Sequence, residues 1–196
     1  MKSAKTLLLM AAFVLPLFFA ACSKDDDDDN GKSNHFKYDG ETYKMTSGVI
    51  LNWGQMWDDE AYNFDLYLFS EGIQYNGIWD ITGKGHGIFF ELYSPSENEL
   101  AAGTYNFDPE DEGDPFTFSW ADFVIDFDID NEIGTEIDIV DGTVKVEKSG
   151  STYTITIDAV AEDGKPVTGY YKGSFIVEDM SDVDWKTEPV EKLRAF

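Results

Sequence analysis

This sequence is short of cysteine, histidine, arginine and positive charge in general. Its 196 residues include one cysteine, two histidines and 14 lysines and arginines, set against 39 aspartates and glutamates. Two histidines far apart in the sequence, with no second cysteine, give no basis for a zinc site. A formal charge of −25 excludes nucleic acid as a natural partner, because phosphate binding depends on lysine and arginine.

Long apolar runs are also scarce, and the one that exists lies at the N-terminus. Residues 7–21 are uncharged and mostly apolar, and they follow Lys2 and Lys5. The run is shorter than the about 20 apolar residues that a membrane-spanning helix needs. A positive start, an apolar middle and two alanines at its end predict a signal peptide over residues 1–21 that is removed from the mature protein.

The residues around the single cysteine indicate a lipid anchor. Phe19-Ala20-Ala21-Cys22 resembles the bacterial lipobox, with Phe19 where leucine is usual. That resemblance implies that Cys22 receives a diacylglycerol, becomes the new N-terminus and is acylated, so that its lipid chains hold the protein at a membrane. Lipidation also explains a lone cysteine in an exported protein, which has no partner for an internal disulfide.

Acidic residues follow Cys22 directly. Five adjacent aspartates, residues 25–29, repel one another and predict a solvated, flexible tether over residues 22–34. A lysine followed by acids beside a lipidated cysteine also resembles the surface-export signal of Bacteroidota lipoproteins. The resemblance implies an outer-membrane protein that faces the cell exterior, and its signal would consist of Ser23, Lys24, Asp25, Asp26 and Asp27.

The remainder of the chain has the pattern of an all-β domain. Aromatic residues make up 15% of the chain, 17 glycines are present, and short runs rich in Val, Ile and Thr alternate with turn signals. No long helical pattern occurs, although Ser94–Ala102 favours a helical turn. We therefore expect one domain over residues 35–178, a single antiparallel β-sandwich or β-barrel of about ten strands, followed by a C-terminal tail over residues 179–196.

Two segments predict which side chains of a strand face the core, and a third segment resembles part of a known group of proteins. Tyr62–Phe69 alternates and predicts a half-buried strand with Phe64, Leu66 and Leu68 on one face. Thr152–Ala159 predicts the middle strand of a C-terminal meander, with Tyr153, Ile155 and Ile157 toward the core. Ser149–Phe175 resembles the C-terminal hairpins of small β-rich lipoproteins of Bacteroidota, which implies a fold and a location but no activity.

Aromatic residues near the first loops are candidates for a ligand site. Amide and acidic residues surround these rings in the sequence, and flat rings with such neighbours are typical of sugar binding, because the ring covers an apolar sugar face while carboxylates accept its hydroxyls. The alternative is that the rings cap the core. The candidates are Trp53, Trp57, Trp79 and Tyr75.

The segment Glu136-Ile137-Asp138-Ile139-Val140-Asp141 resembles the E-I-D-I-x-E catalytic strand of the concanavalin-like retaining endoglucanases. The resemblance implies Glu136 as nucleophile, Asp138 as its support and Asp141 as acid/base, with two carboxyl groups about 5–5.5 Å apart. The last residue departs from the pattern, since aspartate is one methylene shorter than glutamate. The alternative is a half-exposed strand that alternates isoleucine with acids.

An acidic turn over residues 108–115 is the candidate cation site. Hard cations such as calcium bind several oxygens from a flexible turn, and the alternative is a set of solvated carboxylates. We expect no cofactor, with calcium as the open alternative. The candidate ligands are Asp108, Glu110, Asp111 and Asp114.

The whole sequence favours a surface-anchored lipoprotein with a non-enzymatic binding role. Its expected partners are the membrane, through the lipid on Cys22, and an extracellular glycan or protein. Two alternatives stay open. One is a retaining glycoside hydrolase that uses Glu136 and Asp141, and the other is a structural or assembly subunit of a surface complex.

Overall fold

The computed structural model describes residues 32–55 and 61–183, and every regular element there is a β-strand. The strands are β1 (His35–Tyr38), β2 (Glu41–Lys44), β3 (Ser47–Gly54), β4 (Tyr62–Phe69), β5 (Ile73–Tyr75), β6 (Ile81–Ser94), β7 (Gly103–Phe107), β8 (Thr117–Asp128), β9 (Ile133–Ser149), β10 (Thr152–Ala161), β11 (Pro166–Gly173) and β12 (Ile176–Asp179).

The strands form one curled sheet, a half-barrel. Its order is β12-β3-β4-β6-β8-β7-β9-β10-β11-β1-β2, with β5 beside β6 and an additional pairing of β8 with β9. The predicted all-β class is confirmed. Most strand pairs are antiparallel, as predicted, but β12 pairs with β3 and β7 pairs with β8 in parallel.

The turns that connect neighbouring strands follow their sequence signals. Asp39 and Gly40 join β1 to β2 with φ values of 50° and 83°, the positive pair that a tight hairpin turn requires. β9, β10 and β11 form the predicted meander, and Tyr153, Ile155 and Ile157 of β10 are buried as predicted.

The chain after the meander turn at residues 162–165 forms two strands, β11 and β12, in different parts of the sheet. β11 ends at Gly173, and the chain then crosses to the opposite end of the strand order, where β12 pairs with β3. Phe175 lies at the crossing and packs its ring against Tyr153 and Tyr171, with centroids 5.5 and 5.0 Å away. This partly buried ring holds the connecting segment against β10 and β11.

The ends of the predicted domain are also tied into the fold. Asn34, predicted to lie in the tether, exchanges two hydrogen bonds with the backbone of Lys172. Met180, predicted to lie in the tail, is 7% exposed and packs on the sheet. The folded unit therefore extends beyond residues 35–178 at both ends.

Two hydrophobic clusters lie on opposite faces of the central strands. The inner cluster joins Phe64, Leu66 and Leu68 of β4 to residues of β10 and β11 across the curl. The outer cluster contains Tyr67 and Phe69 of β4 and lies under the segment 73–81 and Met180. The prediction that Tyr62–Phe69 is half-buried is wrong, because this second cluster buries its other face as well.

The predicted helical turn over Ser94–Ala102 is absent. The Oγ atom of Ser94 donates to the Glu99 carbonyl at 2.9 Å and accepts from the N–H groups of Ser96 and Ala101. A serine side chain that binds nearby backbone groups in this way competes with helix formation.

Candidate functional site

Five carboxylates lie on the outer face of β4, β6, β8 and β9, and we call this set the acidic face. In the pairing of β4 with β6, Asp65 lies opposite Glu91. In the pairing of β8 with β9, Asp122 lies opposite Asp138, and Glu136 is two residues before Asp138 on the same face. The strand register therefore brings together acids that are far apart in the sequence, so no single local motif contains all five.

A β-bulge in β8 places an aromatic ring on the same face. Phe90 and Leu92 of β6 are two residues apart, but their partners Ala121 and Phe118 are three apart. Since both partners pack in the inner cluster, the bulge leaves Ser119 and Trp120 together on the outside. Trp120 is 43% exposed.

Ser119 contacts the acidic face directly, and Trp120 contacts a ring beside it. The ring of Trp120 meets Phe89 edge to face, with centroids 6.0 Å apart, and Phe89 lies opposite Asp122. The Ser119 hydroxyl donates to Glu91 Oε2 at 3.4 Å, and Asn63 Nδ2 donates to Glu91 Oε1 at 2.6 Å. An exposed indole and an oriented carboxylate thus share one surface.

Asp65 is the buried acid at one end of this face. Its Oδ2 atom accepts from Trp53 Nε1 at 2.7 Å and from the Tyr67 hydroxyl at 3.1 Å. Burial, together with the negative charge of Glu91, raises the pKa of Asp65 to about 7, although the two hydrogen bonds lower it. Asp65 therefore changes charge near neutral pH.

Asp122 is the most unusual of the five acids. It is 1% exposed, and neither of its carboxyl oxygens has a hydrogen-bond partner among the described residues. Burial, with the charges of Glu136 and Asp138, raises the pKa of Asp122 to about 8. The carboxyl group is therefore neutral at pH 7, which removes the cost of burying an unpaired charge.

The three residues predicted from the endoglucanase resemblance, Glu136, Asp138 and Asp141, lie in two separate places on β9. Glu136 and Asp138 are exposed on β9 beside Asp122, and burial and Asp138 raise the pKa of Glu136. Asp141 lies opposite Val160, next to a register shift between Val160 and Ala161. Its Oδ1 atom accepts from the Gly142 N–H at 2.7 Å. The acid that lies beside Glu136 and Asp138 in the structure is therefore Asp122 rather than Asp141.

The predicted aromatic site is only partly within the described residues. Trp53, Trp79 and Tyr75 are half-buried and pack against the outer cluster, whereas Trp57 lies outside the described residues. The indole N–H of Trp53 binds Asp65, and burial and the Glu178 carboxylate raise the pKa of Tyr75. These three rings cover the second core, and Trp53 connects it to the acidic face.

A polar groove of about 330 Å³ runs beside β3 and β12, and Gln55 and Tyr62 also line it. Asn52 at its base donates to the Glu97 carbonyl and accepts from the Gly54 N–H. At its rim, Asp179 accepts from both the N–H and the hydroxyl of Ser181. These groups bind one another, in contrast to Asp122.

The acids of the predicted cation loop bind their own chain. Asp108 accepts from the N–H groups of Glu110 and Glu112, Asp111 accepts from the Tyr93 hydroxyl at 3.0 Å, and the Asp114 carbonyl accepts from Thr117. Residues 32–55 and 61–183 contain no group of three or more His, Cys, Asp or Glu that could hold a metal ion. Calcium binding stays a prediction.

The predicted anchor and export signal, Cys22 and residues 23–27, lie outside the described residues. Within the described part of the chain, no helix has the length and apolar character of a membrane-spanning segment. No family model, curated protein or solved structure matches this chain.

Proposed function

We propose that this protein is a lipoprotein of the outer membrane, displayed at the cell surface, whose β-domain binds carbohydrate through the acidic face without chemical conversion. The lipobox and acidic run around Cys22 support the location. The exposed indole of Trp120 beside oriented carboxylates is the observation that carries the function.

Trp120 and the carboxylates of the acidic face together match the apolar ring face and the polar hydroxyls of a sugar. The Trp120 ring is 43% exposed and offers a flat apolar surface to the C–H face of a sugar ring. Glu91, Glu136 and Asp138 offer carboxylate oxygens that accept hydrogen bonds from sugar hydroxyls. A strand scaffold holds all four residues in fixed register, which limits the entropy lost on binding.

Binding is favoured over hydrolysis by the position of the proton-carrying acid. Asp122 holds a proton at neutral pH, as a general acid must. Its carboxyl oxygens, however, are buried, whereas a general acid has to reach the glycosidic oxygen at hydrogen-bond distance. The proton of Asp122 is therefore out of reach of a bound glycosidic oxygen.

The test removes the exposed indole by alanine substitution. We expect Trp120→Ala to weaken binding about fivefold, since stacking on an aromatic ring contributes about 1 kcal/mol. A glycan array first identifies a ligand of the mature wild-type protein, and calorimetry then measures the variants. Ile133→Ala is the matched control, because Ile133 is 67% exposed but lies at the start of β9, outside the acidic face.

The melting temperature should be almost unchanged in both variants, because both side chains are exposed. If Trp57→Ala abolishes binding and Trp120→Ala does not, the ligand binds at the first loops and the acidic face is not the site.

A further inference from the structure

We propose that the open edge of β12, the side of this strand that faces away from β3, docks an extended segment of another protein. The docked segment joins the sheet as one more strand, and the segment that fits is basic in one half and apolar in the other. β3 separates β12 from the strands of the acidic face, so docking at this edge does not depend on carbohydrate binding.

The backbone of β12 is paired on one side only. The strand lies at the end of the strand order, and its one partner among the described residues is β3, to which it runs parallel. An edge strand presents a row of unpaired N–H and C=O groups, and an extended peptide binds such a row by main-chain hydrogen bonds. β12 therefore offers a place for a further strand without rearrangement of the sheet.

The side chains of β12 divide the strand into an apolar half and an acidic half. Ile176 and Val177 are 47% and 57% exposed, and Glu178 and Asp179 follow them directly. Both hydrogen bonds from Ser181 end on Oδ1 of Asp179, and a carboxylate has a second oxygen for a lysine. Apolar pairs and pairs of opposite charge stabilise neighbouring strands. The complementary segment thus has two β-branched apolar residues beside two basic ones.

The order of these four residues favours a basic partner over a second copy of this chain. If two copies of β12 paired in register and antiparallel, Glu178 and Asp179 would lie opposite Val177 and Ile176. If they paired in parallel, the acids would lie opposite each other, which is unfavourable. Neither arrangement gives both an apolar pair and a pair of opposite charge, whereas a basic and apolar segment gives both.

Two grooves adjoin β12 and leave room for the side chains of an added strand. The polar groove is lined by the last three residues of β12 and by Glu97, and no described lysine or arginine lines it. Another groove, of about 440 Å³, is lined by Phe175 and Ile176 among others. The acidic surroundings of the first groove add to the attraction for a basic segment.

The other end of the strand order, β2, lacks this pattern. Its exposed residues are Glu41, Thr42 and Lys44, and none of them is a large apolar residue. Their charges are of both signs, so this edge neither adds apolar contacts nor selects a basic segment. β2 therefore serves as the reference within the same molecule.

The experiment titrates the isotope-labelled mature protein with a capped peptide of two lysines followed by two valines, and NMR follows the backbone amide signals. We expect the signals of residues 176–179 to shift and those of β2 to stay unchanged. A peptide with glutamates in place of the lysines should bind at least about tenfold more weakly, because it places like charges across the two strands.

A methylated peptide separates strand pairing from general attraction to an acidic protein. Methylation of the amide nitrogens of the lysine and valine peptide keeps its charges and side chains but removes its main-chain donors. Because main-chain hydrogen bonds supply the affinity of an added strand, we expect the methylated peptide to bind at least about tenfold more weakly.

A pair of variants locates the contact. Val177→Lys removes an apolar neighbour and adds a positive charge at the edge, so it should weaken binding of the lysine and valine peptide about tenfold. Ile133→Lys is the matched control, because Ile133 is 67% exposed and lies on β9, and the substitution adds the same charge. It should leave the affinity unchanged, and the circular dichroism spectrum should be the same for both variants.

Each alternative occupant of the edge gives a different result, and each of these results overturns the inference. Equal affinity of the methylated peptide, or shifts spread over the acidic face, shows attraction by charge alone. Protection of all amides of residues 176–179 from hydrogen exchange in the free monomer shows that the chain itself covers this edge. A doubled mass that Val177→Lys reverses shows a second copy. None of these results changes the expectation for carbohydrate binding.

Discussion

At the scale of single residues, Asp122 should make the stability depend on pH in an unusual direction. The folded protein holds its proton up to about pH 8, whereas an unfolded chain releases it at about pH 4. Between these values the folded state binds more protons, so the free energy of unfolding falls as pH rises, by about 1.4 kcal/mol per unit from this group. Asp65 adds a slope of the same sign up to about pH 7.

Asp122→Asn should remove the contribution of Asp122, because an amide of the same shape does not ionise. We expect the variant to show a shallower loss of stability above about pH 4 and to be more stable than the wild type near pH 8. Urea unfolding at a series of pH values measures both. Parallel pH profiles for the two proteins would show that Asp122 is already ionised in the folded state.

Trp53 should regulate the charge of Asp65 through its indole hydrogen bond. That bond stabilises the ionised carboxylate and lowers its pKa, so Trp53→Phe should raise the pKa of Asp65 further above about 7. The lost hydrogen bond should also cost about 1 kcal/mol of stability. Carbon-detected NMR titration of the Asp65 carboxyl group gives the pKa, and a value that falls or stays constant would contradict the assignment.

The sequence predicted some of these residues and missed others for a physical reason. Glu136 and Asp138 were found because a local motif contains them. Asp65 and Asp122 are single acids within apolar strands, and only the pairing of distant strands makes them neighbours of other carboxylates. An acid flanked by residues such as Phe64 and Leu66 was a usable signal, since a buried strand normally excludes charge.

At the scale of strands, the β-bulges determine on which face of the sheet a side chain lies. Hairpins and the β10 core were predictable, because turn residues and alternation are local signals. The bulges were not. The alternation of Phe123, Ile125, Phe127 and Ile129 in the sequence predicts that all four share one face. In the structure Phe123 and Ile125 contact the inner cluster, whereas Phe127 and Ile129 contact the outer cluster, because the face changes at Asp126, where φ is 51°.

Gly142 should be essential for the register of β9 against β10. Its φ is 125°, and a Cβ atom there would overlap the backbone of Asp158 and Ala159. Gly150 also has a positive φ, 61°, but a Cβ atom on Gly150 would meet no other atom within 4 Å. We expect Gly150→Ala to cost about 1 kcal/mol and Gly142→Ala several times more, as measured by chemical denaturation. Equal costs would show that β9 can shift to accommodate the side chain.

At the scale of the whole molecule, the open sheet raises the question of assembly. β12 forms one end of the strand order, and its Ile176 and Val177 are 47% and 57% exposed. Exposed apolar edges promote pairing between chains, but very short strands and charges prevent it. β12 has four residues and ends in Glu178 and Asp179, which would repel a second copy.

We therefore expect the mature protein to elute as a monomer over a wide range of concentrations, and Val177→Lys to leave its elution volume unchanged. Light scattering after size-exclusion chromatography measures the mass. A wild-type oligomer that Val177→Lys dissociates would instead favour the structural subunit as the function.

The location of a bound carbohydrate tests the central claim most directly. Amide hydrogen exchange of the mature protein, with and without the carbohydrate that it binds, reports which strands the ligand covers. We expect new protection in residues 119–122 of β8 and 136–138 of β9, around Trp120 and the acidic face. Protection confined to residues 52–55 and 97–98, which line the polar groove, would contradict the proposed site.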